Sequence, residues 1–142
     1  MRKRTKVAVS LIYVLLIPCL KASLRALGYM NTYRLTRVVS PQPLRPSVNS
    51  VRRAIKIAQA FETLWPVRKL NATCLHKSLF LWWLLRFANC DSEIATGIKR
   101  DPTSLELRLH AWVTCGGFPI NEKPDSINQY FPLQHSPLNK QT

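Results

Sequence analysis

Two residues have the types and settings that covalent catalysis needs. Cys74, in "NATCLHKSLFLWWLLRF", opens an apolar helical run, where the partial positive charge of a helix N-terminus favours thiolate over thiol. His110, in "LRLHAWVTCGGFPINE", sits inside a strand-like run. An imidazole there can take a proton from a thiol and hand it to a departing group. The chemistry such a pair performs is attack on an acyl carbon through a thioester.

A third group must fix the orientation and tautomer of the imidazole, and the Gly116-Gly117 pair decides which residue is placed to do so. If Cys115-Gly116-Gly117 form a three-residue hairpin loop, Thr114 pairs with Phe118 and His110 lies opposite Glu122. Cross-strand neighbours share a face, with Cβ atoms about 5 Å apart. A two-residue Gly-Gly loop puts Lys123 in that place instead, and Asp125 is then the fallback acid.

The remaining candidates carry less. His76 follows Cys74 by two on the same helix, so the side chains diverge and it is not expected to be the base. His135 lies in a proline-flanked tail, and Cys19, Cys90 and Cys115 fall on an apolar helix, a turn and the oily side of a strand, which are structural positions. Trp82 and Trp83 suit packing better than a binding box. The four cysteines show no C-x-x-C and no Cys/His ligand pairs, so neither metal nor disulfide framework is expected. No cofactor is implied.

Several elements must hold these residues. "VAVSLIYVLLIPCL" continues in helical rhythm through "KASLRALGYM" to Gly28, and a short helical piece "NTYRLTRVV" precedes the proline-rich linker "SPQPLRPS". Ser50 is placed to cap a second helix, in which Val51, Ala54, Ile55, Ala58, Phe61 and Leu64 recur at helical spacing until Pro66. Arg52, Arg53, Lys56 and Gln59 take its wet face. Asn71 or Thr73 caps the third helix, whose buried stripe is Leu75, Leu79, Trp82 and Leu85.

From there the period changes to two, through "EIATGIKR" and "LELRLHAWV". In the second of these strands Leu105, Leu107, Leu109, Ala111, Val113 and Cys115 form the oily face, and His110 stands on the other. Helices followed by strands define an α+β fold, here one domain over residues 1–142. Its helical region and linker span 1–49, a catalytic core 50–125 and a tail 126–142.

The charge is uneven. Residues 1–90 carry 16 Lys/Arg against one acid, Glu62, and residues 91–142 carry five against six, for a formal net charge of +14. Without a helix-turn-helix, RRM or zinc-finger signature, nucleic acid is disfavoured. A basic face for an acidic peptide, a partner protein or anionic lipid fits better. "MRKR" before an apolar run looks like the start of a signal peptide. Yet the run has only 14 residues, short of the roughly 20 that span a bilayer. With no good cleavage site behind it, the expectation is a cytoplasmic protein whose first helix is core or touches a membrane surface.

Three ordered elements, "CLHKSL" at Cys74, "GIK" at Gly97 and "HAWV" at His110, resemble the transglutaminase-like leader peptidase of lasso-peptide biosynthesis. This B-type maturation protein carries C-L-x-[RK]-[SA]-L, G-[VI]-[RK] and H-A-W-V in that order. The resemblance covers roughly residues 70–123, and with no strand-rich module before the cysteine it points to the stand-alone protease half. It implies a papain/transglutaminase-like α+β fold, and a cysteine peptidase that cuts the leader from a ribosomally made precursor. Cys74 is then the nucleophile and His110 the base. The family's orienting aspartate falls on Glu122, a departure, and His76 and Thr114 stand where proline and an acid are common. The implied partners are the precursor peptide, a separate leader-binding recognition protein and an ATP-dependent lasso cyclase, with peripheral membrane contact besides. An amide or acyl transferase of the same fold and a non-catalytic basic adaptor are the alternatives.

Overall fold

The structure, a computed structural model, describes residues 3–38, 48–64, 67, 69, 72–101 and 106–133. The linker prolines, Pro66, Asn71, Leu105 and His135 lie outside them.

The chain runs α1 (Lys3–Val38), α2 (Val48–Glu62), α3 (Cys74–Phe87), β1 (Ser92–Arg100), β2 (Leu107–Cys115), β3 (Phe118–Pro119), α4 (Pro124–Ile127) and β4 (Phe131–Pro132). The strands form one antiparallel sheet in the order β3-β2-β1-β4. Helices packed on a small antiparallel sheet make this the α+β fold expected.

α3 is the central element, and its sequence says why. Ser78, Leu79, Phe80, Leu81, Trp82, Leu85 and Arg86 are all buried, so it is covered nearly all round, as a helix without a polar face must be. Of the expected stripe of Leu75, Leu79, Trp82 and Leu85, Leu75 is only half-buried, and the other three are one side of a wider buried surface. On its helical side, Tyr13 of α1 stands edge-on to Phe61 of α2 and Phe80 of α3, with ring centroids 5.5 and 4.9 Å away. Edge-to-face contacts of this kind add about 0.5–1.5 kcal/mol beyond area burial. On its sheet side, Trp82 donates from Nε1 to the carbonyl of Ser92 at 2.8 Å.

α1 breaks at Gly28, where φ is 73° and ψ 173°, a backbone state that costs glycine little. The second segment returns Tyr33 to the Trp82 ring at 4.8 Å. Residues Val7–Val38 are long and apolar enough to cross a membrane by length and composition, a test that the core helix of a soluble protein and a signal sequence also pass. The helix continues past Lys21, as the rhythm of the sequence predicts. α2 buries Ala54, Ala58, Phe61 and Leu64 and exposes Arg52, Arg53, Lys56 and Gln59, as its spacing predicts. Ser50 is not its cap, because the helix begins two residues earlier and Ser50 is buried within the first turn. Arg53 is more than a solvated charge, since its guanidinium donates to the Ala88 carbonyl at 3.1 Å.

The oily face of β2 is correct for only half its length. Ala111, Val113 and Cys115 are buried, whereas Leu107 and Leu109 are exposed. α3 begins level with His110, so the first residues of β2 project beyond the helix that would cover them. Trp112, which alternation puts on the same face as His110, is nevertheless buried, with its ring 6.3 Å from that of Tyr130.

Gly97 sits opposite His110 in the β1–β2 ladder. A Cβ added there would stand 2.8 Å from Tyr130 Cβ, 3.0 Å from Trp112 Cη2 and 3.1 Å from the Phe131 carbonyl oxygen. The Gly97→Ala variant should therefore lose about 1–3 kcal/mol through overpacking, read as a lower urea midpoint with an unchanged m-value.

Candidate active site

Cys74 is the first residue of α3, preceded by Thr73 in extended geometry at the N-cap. Thr73 occupies the predicted cap position but does not cap with its side chain. Its hydroxyl and His76 Nδ1 lie 2.6 Å apart, which holds the imidazole against the cap. The first N–H groups of a helix have no intrahelical acceptor, so the Cys74 amide is left available at the site. His76 does not line the cavity around Cys74. Burial, then Lys21 and Arg25, depress its pKa below the usual histidine value.

One turn further on, Ser78 is fully buried and its Oγ–H donates to the Ala111 carbonyl at 3.0 Å. Ala111 adjoins His110, so this bond ties the start of the cysteine's helix to the histidine's strand. Sequence reasoning missed Ser78; the signal was a lone hydroxyl in a run of leucines and aromatics, four residues after the cysteine.

His110 Nε2 and Glu122 Oε1 are 3.0 Å apart, with side chains 23% and 31% exposed. A carboxylate only accepts, so the neutral ring must carry its proton on Nε2 and donate it to Glu122. Nδ1 is then the unprotonated nitrogen, the one free to accept a proton. The ring also packs in a triangle with Trp112 and Tyr130, with centroids at 6.0 and 5.2 Å from it and 6.3 Å from each other. Lys99 lies over the Tyr130 ring, 5.1 Å from its centroid.

The route by which Glu122 arrives differs from the one expected. The hairpin has the two-residue loop, with Gly116 and Gly117 at φ 59° and 82°, the positive values a type I′ turn requires at both positions. Thr114 pairs with Pro119 and Cys115 with Phe118, a register that would bring Lys123 opposite His110. The ladder does not reach that far. Ile120 still donates to the Val113 carbonyl at 3.0 Å, but the Val113 N–H donates to Asn121 Oδ1 at 2.8 Å. A side chain has replaced the next backbone partner, so the strand leaves the sheet at Asn121 and swings Glu122 back to the ring. Asp125 lies exposed in α4, away from the cavity.

Glu62, Cys74, Lys77, His110, Ala111, Asn121 and Glu122 together line a cavity of about 200 Å³. Cys74, His110 and Glu122 are thus brought into one place, and Asp125, His76, Cys19, Cys90 and Cys115 are not. Glu62 and Lys77 were missed. Glu62 did carry a signal, as the lone acid in the first 90 residues. Partial burial raises its pKa above the usual carboxylate value; Lys77 opposes this and Glu122 reinforces it. A larger cavity of about 240 Å³ lies beyond Trp112, against Arg37, Arg86 and Asp91, and includes neither Cys74 nor His110. Burial pushes the thiol of Cys90 up, and that of Cys115 to about 11, so both are held as inert thiols.

A cysteine at a helix start that shares a cavity with a strand histidine, itself held by an acid, is the class of site on which thioester chemistry runs. Residues 14–135 match the family model described as the transglutaminase-like superfamily, and the chain belongs to that superfamily, whose chemistry is cysteine-protease- or acyltransferase-like. No match was found among curated proteins or among solved structures.

Asn121→Ala leaves the Val113 N–H without its acceptor where Val113 is fully buried. It should cost about 1–3 kcal/mol in urea unfolding and shift the ¹⁵N resonances of the His110 ring as Glu122 loses its placement. Glu62→Gln should act in the opposite sense. A carboxyl whose folded pKa lies above its unfolded value contributes stability below the unfolded value, and that contribution is lost as pH rises through the folded one. The variant should therefore melt higher than wild type at neutral pH, with the difference closing at pH values below 4.5, the ordinary value of the group.

Proposed function

We propose that this chain is the cysteine peptidase that removes the leader from a ribosomally made lasso-peptide precursor. The observation that carries the reading is the His110–Glu122 contact at 3.0 Å in a cavity shared with Cys74 at its helix start. Its support from sequence is the ordered set "CLHKSL", "GIK" and "HAWV".

Cys74 passes its proton to His110 and attacks the last leader carbonyl. The resulting oxyanion meets the Cys74 amide N–H at the helix start. His110 then protonates the departing core amine, leaving the leader on Cys74 as a thioester. Water attacks the thioester with His110 as base, and leader acid and free thiol are released. Glu122 acts through the ring, holding the Nε2–H tautomer and stabilising the imidazolium that forms. In this reading the single domain works in the cytoplasm, a separate protein delivers the leader, and an ATP-dependent cyclase takes up the freed core.

The test is mass spectrometry of precursor incubated with the protein. Cys74→Ala and His110→Ala should each lower cleavage at least about a thousandfold while the fold is kept, and Glu122→Gln roughly 10- to 1000-fold, since it removes an orienting group. Asp125→Asn should be silent. Retained cleavage in either of the first two variants overturns the assignment. A product bearing an added amine instead of a new acid would move the reaction to acyl transfer. At neutral pH iodoacetamide should label Cys74 faster than the exposed Cys19 and far faster than the buried Cys90 and Cys115.

A further inference from the structure

We infer that the outward face of α1 lies in the plane of an anionic membrane surface, an interaction independent of the proposed peptidase reaction. α1 is apolar on two sides and only one of them is covered. Val9, Tyr13 and Ile17 point into the core. Val7, Leu11 and Leu15, on the opposite side at intervals of four, are 58%, 60% and 71% exposed. Pro18 and Ala22 continue that stripe, both exposed. Over the four turns from Val7 to Ala22 the outward face presents no charged side chain, although a helix apolar all round is ordinarily buried all round. An apolar groove of about 140 Å³, lined by Leu16, Cys19, Leu20 and Leu35 among others, opens beside the stripe.

Charge selects the occupant. Residues 1–61 hold 12 Lys/Arg and no Asp or Glu. Helical spacing puts Arg25, which is exposed, on the stripe after Ala22, and the sequence before Val7 carries Arg2, Lys3, Arg4 and Lys6. An apolar band preceded and followed in the chain by basic residues matches a bilayer interface, where side chains sink to the acyl boundary and basic groups meet lipid phosphates. A second copy of the chain would set the two basic regions against each other. Spanning the bilayer would require Tyr13 to leave Phe61 and Phe80, which pack on the same turns of α1. Lying in the interface leaves those contacts intact.

The test is flotation of the full chain with vesicles of phosphatidylcholine and phosphatidylglycerol, and with phosphatidylcholine alone. The expected result is flotation with the anionic vesicles, falling as salt rises, and about tenfold weaker in Leu11→Glu/Leu15→Glu, with circular dichroism and Cys74 labelling unchanged. Should the double variant not fold, Arg25→Glu alone, at an exposed site, should weaken flotation several-fold. The inference fails if the anionic vesicles bind no protein, if they bind no better than phosphatidylcholine, or if neither variant weakens binding. It also fails if bound protein resists both high salt and alkaline carbonate, the behaviour of a spanning helix. Self-association abolished by Leu11→Glu/Leu15→Glu, without vesicle binding, would assign the stripe to a second copy instead.

Discussion

The hydrogen bond from the Ser78 hydroxyl to the Ala111 carbonyl is the constraint on which the site depends. Helix and strand meet there with a side chain small enough to let the backbones approach, and the hydroxyl satisfies a main-chain oxygen that the packing has dried out. Left unpaired, a buried carbonyl of this kind costs about 1–3 kcal/mol, so the pairing fixes how far α3 slides along β2. Cys74 stands one turn before Ser78 and His110 one residue before Ala111. Their common cavity is the geometric consequence of one clamp between elements remote in sequence.

The acid reaches the site by a looser device. Two glycines close the hairpin in a register that, continued, would offer a lysine to the imidazole, and the chain avoids this by giving up the ladder. Asn121 supplies from its side chain the acceptor that a third strand residue would have supplied from its backbone, so Val113 loses nothing while the direction of the chain changes. A glutamate has one methylene more than an aspartate, and it approaches from a chain already curving away from the sheet. The longer side chain and the early departure compensate each other.

How much of this was legible in the sequence follows from how local each determinant is. The three helices and the strand pair could be read because their periodicity is carried by adjacent residues: Ala54, Ala58 and Phe61 face one way in any helix. Cys74 at a helix start and His110 in a strand were visible for the same reason. Glu122 was reached through a three-residue loop that does not form, so the residue was named on a register the structure corrects. Choosing between the loops depended on where the ladder ends, and that is set by Asn121 reaching across to Val113. Ser78, Glu62 and Lys77 stayed hidden because their significance lies in what stands opposite them in space. Leu107 and Leu109 were placed in the core by alternation, which gives the side of a strand and not the reach of the helix covering it.

Two carboxylates and an ammonium share the cavity with Cys74 and His110. Glu122 is engaged by His110. Glu62 has no such counterpart fixed by a hydrogen bond among the described residues, and partial burial holds its pKa above the ordinary carboxylate value, with Lys77 opposing the shift and Glu122 reinforcing it. Both stand at helix ends: Glu62 closes α2, and Lys77 lies in the first turn of α3. The charge lining the cavity is therefore set where two helices meet, and the strand pair brings the imidazole and its carboxylate to it.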